Sequence, residues 1–291
     1  MISDTVSIEV VHGADLHTPE SKAVLAGLMA YNAAKTPAPV ARLGLAVREA
    51  KDDAWIGGVA IVAYADAAYS PWGLWTSTAA DDSPVPGLLI GAALAELAHL
   101  GVPRLMVGRR AHAPDSAYEA AGARIVAVVP DHIRGGDLAL LELSTDEAVA
   151  PAVPQGLSLE IRRPPSDVWA QENWKRLDQR RQRNIGVAPR WVTAYVRDGE
   201  TVKGGAICYA AGDEFMVDMV WLDEALRGTG LGARMLTTAI TEGRRMGCRR
   251  ATVETMDFQA APFYRRVGFS DLAYLPDFMA GFGMTALRMS L

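Results

Sequence analysis

Cysteine, histidine and long apolar runs are all scarce in this chain of 291 residues. The two cysteines, Cys208 and Cys248, lack the C-x-x-C spacing of a metal or redox motif, so we interpret them as small core residues. All five histidines lie in the first half of the chain without H-x-x-x-H spacing, and the sequence therefore predicts no metal site. The longest apolar stretch, residues 85–100, contains Glu96 and His99 and falls short of the roughly 18 residues that a membrane span needs.

A secretory signal is also missing from the N-terminal sequence, which lacks the order of a basic and then an apolar segment, so we expect a cytoplasmic protein. Half of the residues are hydrophobic and 22% are charged, which is typical of a folded protein with room for two domains. Residues 1–150 carry 10 basic and 18 acidic side chains, and residues 151–291 carry 19 and 16. We therefore expect any anionic ligand on the second half.

The second half of the chain repeats the first. A shift of 147 positions aligns one pair of glycines, Gly57-Gly58 with Gly204-Gly205, and a shift of 146 aligns ten identical residues without a gap. The Pro- and Ala-rich residues 148–156 are typical of a linker, so the sequence predicts two copies of one domain, at residues 1–147 and 157–291. The ten identities are Trp75/Trp221, Glu96/Glu242, Gly101/Gly247, Arg104/Arg250, Val107/Val253, Tyr118/Tyr264, Gly122/Gly268, Pro130/Pro276, Asp131/Asp277 and Gly135/Gly281.

Strand and helix patterns alternate in the second copy. The predicted strands are 157–162, 191–196, 202–209, 215–222, 251–255, 272–275 and 284–289, and the predicted helices are 166–183, 230–246 and 261–267. Ser166 is a candidate N-cap, and Gly247 and Gly268 are expected to end the second and third helices. A strand-helix-strand unit makes strands 215–222 and 251–255 parallel. The predicted fold class is α/β, with two tandem units that each contain a mixed, mostly antiparallel twisted sheet flanked by helices.

A glycine-rich loop, residues 226–233, lies between a predicted strand and a predicted helix. Glycines let the backbone approach a ligand, and the N–H groups at a helix N-terminus attract anions, so the loop predicts a phosphate site. A tight turn without a ligand is the alternative. A P-loop would need Lys and Ser/Thr after the last glycine, where Ala233 and Arg234 stand. A dinucleotide fingerprint would need its third glycine one residue later than it comes here.

The pattern R-x-x-G-x-G, formed by Arg227, Gly230 and Gly232, and the later segment 264–269 (Tyr-Arg-Arg-Val-Gly-Phe) together resemble the GNAT acetyltransferase superfamily over about residues 157–291. Residues 257–264 resemble the branch with Phe-Gln-Ala, and Asp257 stands where other members carry asparagine. The resemblance implies acetyl-CoA as co-substrate, with loop amides on its pyrophosphate and strand backbone on its pantetheine. The cofactor-binding residues that it implies are Val220, Leu222, Arg227, Gly228, Thr229, Gly230, Leu231, Gly232, Ala233, Ala260, Phe263 and Arg266.

Acetyl transfer to an amine needs a base for the amine and an acid for the leaving thiolate. Tyr264 is the candidate acid because a tyrosine is almost wholly protonated at neutral pH; a tyrosine that closes the core is the alternative. Asp218 and Glu254, on adjacent predicted strands beside the cofactor slot, are candidates for the base or else surface residues of those strands. We therefore expect an N-acetyltransferase that modifies a primary amine of a small molecule or peptide. A non-catalytic CoA-binding sensor or interaction module is the alternative function, and a dinucleotide-binding oxidoreductase is a third.

The first copy lacks the glycine loop. Proline removes N–H donors and aspartate repels phosphate, so we expect a degenerate copy without a CoA site, in which Tyr118 is structural. The residues that stand in the places of Arg227, Gly228, Gly230 and Gly232 are Asp81, Asp82, Pro84 and Pro86.

Two expectations about partners follow from charge and from the repeat. A basic run without interleaved aromatics is interpreted as a solvated helix face, so neither nucleic acid nor a membrane is expected as a partner. Because the duplication supplies a second copy covalently, we expect a monomer that packs as an internal pseudo-dimer. The basic run consists of Lys175, Arg176, Arg180, Arg181 and Arg183.

Overall fold

The computed structural model describes residues 6–70, 73–110, 115–133 and 136–291, in which the chain forms fifteen strands and six α-helices. The first half contains, in order, β1 (Val6–His12), α1 (Pro19–Ala33), β2 (Ala41–Glu49), β3 (Trp55–Ala63), β4 (Ala68–Ser70), β5 (Leu74–Thr76), α2 (Val85–His99), β6 (Arg104–Arg110), α3 (Asp115–Ala120), β7 (Arg124–Ile133) and β8 (Gly136–Ser144). The second half contains β9 (Leu157–Arg162), α4 (Asp167–Ile185), β10 (Arg190–Asp198), β11 (Thr201–Ala211), β12 (Glu214–Leu222), α5 (Leu231–Arg245), β13 (Arg250–Met256), α6 (Ala261–Val267), β14 (Ser270–Met279) and β15 (Phe282–Ser290).

The helices and strands predicted for the second half are confirmed, and local sequence sets the helix ends. Ser166 caps α4, because its hydroxyl accepts a hydrogen bond from the Trp169 amide at 3.3 Å. Gly247 follows the last turn of α5 at φ 87°, and Gly268 follows α6 at φ 115°, both in the left-handed region that favours glycine. Among the described residues, no helix is long and apolar enough to cross a membrane.

The strands form two sheets with the same order. The first sheet runs β9-β2-β3-β4-β6-β8-β7, with β5 also beside β3, and the second runs β1-β10-β11-β12-β13-β15-β14. β4 and β6 are parallel in the first sheet, as are β12 and β13 in the second, while the other pairs are antiparallel. These mixed sheets with flanking helices confirm the predicted α/β fold class, and their equal order is what a tandem repeat produces.

The two halves of the chain exchange their first strand and first helix. β1, from the first half, pairs with β10 along its whole length, while β9, from the second half, pairs with β2. Each helix packs on the sheet that the strand before it completes. α1 packs on β11 and β12, and α4 packs on β3 and β5. Each sheet is therefore completed by the other half of the chain. The division at residues 148–156 stays a prediction about the repeat in the sequence, since neither sheet is built from one side of it alone.

Each sheet has its own apolar core. In the first, α2 covers the sheet with side chains such as Leu89 and Leu97, and in the second, α5 does so with Met235 and Leu236. Cys208 and Cys248 are free thiols buried in the second core, which confirms their interpretation as core residues.

The two sheets also meet through equivalent side chains. Arg104 donates a hydrogen bond to the backbone oxygen of Asp277, and Arg250, its counterpart in the repeat, forms an ion pair with Asp131. Asp131 and Asp277 have the same left-handed φ of 50°. Apolar side chains, among them Phe278, complete the contact against β4, β6 and β8. The two halves of this contact are therefore related by approximate two-fold symmetry within one chain.

Candidate functional site

β12 and β13 separate partway along their length. Their parallel pairing ends at Val217↔Val253. The register between β11 and β12 then shifts, from Cys208↔Val217 to Ile207↔Met219, so that β12 bulges at Asp218. Because a bulge bends its strand, the remainder of β12 turns away from β13. A cavity of about 600 Å³ opens between them and extends to the N-terminus of α5 and to α6.

This cavity brings together all the predicted site residues except Thr229 and Leu231. The Thr229 hydroxyl donates to the Leu226 carbonyl at 2.7 Å, so the side chain closes the loop on itself, and Leu231 is buried in the core below. Sequence reasoning missed several other residues of the cavity wall. They are Leu28, Tyr31, Trp221, Met235, Thr255 and Gln259.

The glycine loop has the shape of an anion cradle. Gly228 and Gly230 have φ of 75° and 82°, and a Cβ on either would meet no atom within 4 Å. Gly230 is the N-cap of α5, whose first N–H groups have no partner within the helix. A Cβ on Gly232 would lie 3.5 Å from Leu222 and 3.7 Å from Phe263, inside the cavity. The loop therefore offers open backbone, the positive end of a helix dipole and space for a phosphate group.

Arg227 lies at the edge of this cradle. Its Nε donates to the Leu222 carbonyl at 3.0 Å, and its guanidinium lies 4.8 Å from the centroid of the Tyr31 ring. Arg266, on α6, lines the same cavity. Two cations therefore adjoin the cradle, which suits an anionic ligand.

Tyr264 lies in the first turns of α6, with only 6% of the residue exposed. Its ring packs edge-to-face against Phe263 and Phe269, with centroids 5.2 Å and 5.8 Å away. Burial raises the pKa of Tyr264 well above its usual value of about 10, because the phenolate would lose its hydration. The side chain therefore keeps its proton at neutral pH and can act as a hydrogen-bond donor in the cavity.

Asp218 and Glu254 face the cavity from its two opposite strands. Each directly follows Val217↔Val253, the last position at which β12 and β13 pair with each other. Asp218 is exposed, Glu254 is half-buried, and both line the cavity that contains Tyr264. The site thus combines two carboxylates with a protonated phenol, which is a suitable set for acid–base chemistry.

Asp257, at the place where the resembled family usually has asparagine, has a structural role. Its Oδ2 accepts hydrogen bonds from the Gly283 amide at 2.8 Å and from the Tyr274 hydroxyl at 3.0 Å. These bonds fasten the residue to the β14–β15 hairpin, and Asp257 is not part of the cavity wall.

The equivalent slot of the first sheet is filled by a side chain. Arg180, from α4, is only 5% exposed, forms an ion pair with Asp81 and donates to the Thr76 carbonyl at 2.8 Å. Tyr118, the counterpart of Tyr264, is buried, and burial raises its pKa to about 12.

The basic run on α4 is therefore not wholly a solvated face, and that interpretation is wrong for two of its members. Arg180 is buried, and Arg176 is half-buried with its guanidinium 5.5 Å and 5.7 Å from the ring centroids of Trp55 and Trp75. The reason is the exchange of helices, which packs this face of α4 against the first sheet. A cavity of about 710 Å³ remains there, lined by Trp55, Trp75, Arg176 and Gln179 among others.

Comparison with known proteins points to one family. The model of the acetyltransferase (GNAT) family matches residues 157–269. The blasticidin-S acetyltransferase of Streptomyces morookaense is 40% identical over 79 residues, which are 27% of this chain and 58% of that protein. An acetyltransferase of Agrobacterium fabrum is 32% identical over 91 residues, covering 31% of this chain and 66% of that protein. A solved acetyltransferase structure from Bacillus cereus is 20% identical, covers 44% of this chain and 94% of its own, and has a TM-score of 0.37.

The chain thus spans between half and two thirds of the length of the curated relatives that it matches. The matched region contains β12, the glycine loop, α5, β13 and all of α6, which form most of the cavity. Residues 157–269 therefore match the GNAT acetyltransferase family.

Proposed function

We propose that this protein is an N-acetyltransferase that uses acetyl-CoA, bound in the cavity between β12 and β13. The observation that carries the proposal is the meeting of three features in that cavity. They are the anion cradle at the start of α5, the bulged edge of β12 and the buried phenol of Tyr264. Each matches a different part of acetyl-CoA.

The cradle suits the pyrophosphate, and the separated strand suits the pantetheine. Open glycine backbone at residues 228–232 and the N-terminus of α5 would hold the phosphate oxygens, with Arg227 and Arg266 nearby. Beyond Val217, β12 keeps β11 on one side but has no pairing with β13 on the other, so Val220 and Leu222 face the slot with backbone donors and acceptors. When bound, acetyl-CoA supplies a thioester whose acetyl group is transferred and whose sulfur departs.

Tyr264 serves as the acid in this proposal and gives its proton to the departing sulfur. Its raised pKa favours this role over that of a base, because the residue is protonated when the reaction begins. Asp218 and Glu254 attract the ammonium form of the acceptor, and one of them takes its proton. Two carboxylates at one cavity support an amine acceptor, and we propose a primary amine of a small molecule or peptide.

We further propose that the first sheet is a degenerate copy and binds no CoA. Arg180 and Asp81 form an ion pair in the slot that the cofactor would need, and without Asp81 the buried guanidinium of Arg180 would lose this partner at a cost in stability. The counterpart tyrosine, Tyr118, is buried and does not line the cavity of about 710 Å³ beside the first sheet. The chain then acts as a monomer with one site, built by an internal pseudo-dimer.

Calorimetric titration with CoA tests the binding half of the proposal, and the expected result is one site per chain. Two equivalent sites would contradict the account of the first sheet. Thiol release from acetyl-CoA in the presence of a panel of primary amines tests the catalytic half, with Tyr264→Phe expected to lose most of the turnover and to keep CoA affinity. Tight CoA binding without turnover on any amine would instead indicate a CoA sensor.

A further inference from the structure

Helix α1 comes from the first half of the chain, yet it lies over the cavity of the second sheet. Its contact with that sheet is close, because a Cβ on Gly27 would stand only 2.2 Å from the Trp221 ring. Near its N-terminus, the Ser21 hydroxyl is 2.7 Å from the Tyr195 hydroxyl in a buried hydrogen bond. These contacts fix the distance of α1 from β11 and β12 and its rotation about its own axis.

The C-terminal turns of α1 reach both walls of the cavity. The Tyr31 ring lies under the guanidinium of Arg227, beside the glycine loop, and the Tyr31 hydroxyl donates to the Phe258 carbonyl at 3.1 Å. The adjacent Asn32 accepts a hydrogen bond from Gln259 Nε2 at 3.1 Å. One helix turn thus connects the phosphate cradle with the segment that precedes Tyr264.

Gln259 links the second of these walls to α1. Gln259 Oε1 accepts from the Met256 amide at 3.0 Å, so the same side chain joins the end of β13 to helix α1. Ala260 is then the N-cap of α6, four residues before Tyr264. A shift of this segment would therefore change the distance between the phenol and a ligand held by the cradle.

We propose that Tyr31 and Asn32 are positioning residues of the cofactor site, supplied to the second sheet by the first half of the chain. The inference rests on the proposed function. Tyr31 orients Arg227 through its ring and the 257–260 segment through its hydroxyl, while Asn32 fixes Gln259. The first half is thus part of the site and not only a packing partner of it.

The test measures CoA affinity by calorimetry in the full-length chain, together with kcat and KM for acetyl-CoA. Tyr31→Ala is expected to weaken CoA binding about tenfold, since it removes a cation–π contact and a hydrogen bond at once. Tyr31→Phe keeps the ring and is expected to restore the affinity to within about twofold, while kcat stays lowered because the Phe258 contact is lost. Asn32→Leu should lower kcat more than it raises KM, and Asn32→Asp, which keeps the acceptor oxygen, should rescue it.

The exchange of the first helices between the two halves also supplies a matched control variant, which lies on α4. Counting from the N-caps Thr18 and Ser166, Tyr31 corresponds to Gln179 of α4, which lines the cavity of the first sheet. Gln179→Ala is therefore expected to leave CoA affinity and kcat unchanged. If Tyr31→Ala binds CoA as tightly as the wild type and keeps its kcat, the inference is overturned while the proposed function stands. If the wild type binds no CoA, the proposed function itself fails.

Discussion

A carboxylate placed in the glycine loop gives the sharpest test of where the anion binds. Gly230 has φ 82° and open space around its Cβ position, so Gly230→Asp meets no steric obstacle and keeps the helix start in place. The new charge would face the pyrophosphate at about 4 Å, where two unit charges repel by roughly 4 kcal/mol at an effective dielectric of 20. Without screening this equals a loss of nearly 10³-fold in affinity, and salt reduces it to about 10²-fold.

Gly230→Asp also strains the backbone. A control substitution at the other end of α5 separates the effect of this strain from the effect of the charge. Gly247 has φ 87° and equally open surroundings, but it lies at the C-terminus of α5, far from the cradle. Gly247→Asp should therefore cost the same roughly 1–2 kcal/mol of stability for a non-glycine residue in the left-handed region and leave CoA affinity unchanged. Gly230→Ala carries the strain without the charge and should bind CoA within a fewfold of the wild type.

Calorimetry with CoA and urea unfolding of the free proteins measure both quantities on each variant. A third variant, Gly87→Asp, places the same carboxylate in the first turn of α2, the helix of the first sheet that corresponds to α5, and should bind CoA normally. Affinity of Gly230→Asp within about threefold of Gly247→Asp would refute the assignment of the loop as the phosphate site.

Three further predictions concern burial. Asn173→Leu should lower the free energy of unfolding, measured by urea denaturation, by about 1–3 kcal/mol. The buried Trp75 indole N–H donates to Asn173 at 2.7 Å, and the substitution leaves it without that acceptor. An unchanged denaturation midpoint would contradict the docking of α4 on the first sheet. Because burial raises the pKa of Tyr264, the pH–rate profile of kcat should show no falling limb below about pH 10, and a falling limb below that pH would contradict the assignment of Tyr264 as the acid. Burial raises the pKa of Glu214 to about 7, above its value of 4.5 in the unfolded chain, so protonation of this carboxyl favours the folded state. The free energy of unfolding should therefore fall as the pH rises from 4.5 to about 7. Glu214→Gln should remove that pH dependence.

The sequence by itself determined the helices and strands of the second half and the position of the glycine loop. Ser166, Gly247 and Gly268 mark helix ends through local backbone geometry, which a sequence pattern records directly. The glycine loop is equally local, because Gly228 and Gly230 need left-handed φ whatever surrounds them.

Only the tertiary structure decided which half completes which sheet. Val6–His12 and Leu157–Arg162 are both short apolar edge strands, and two copies of one fold offer each strand two equivalent edges, so their side-chain patterns carry no information about the choice. The exchange places Tyr31 over the second cavity and Arg180 in the first slot, and neither position could be read from residues close to them in sequence. Strand pairing across more than a hundred residues depends on the packing of the whole chain, which is why the composite site emerges at that level alone.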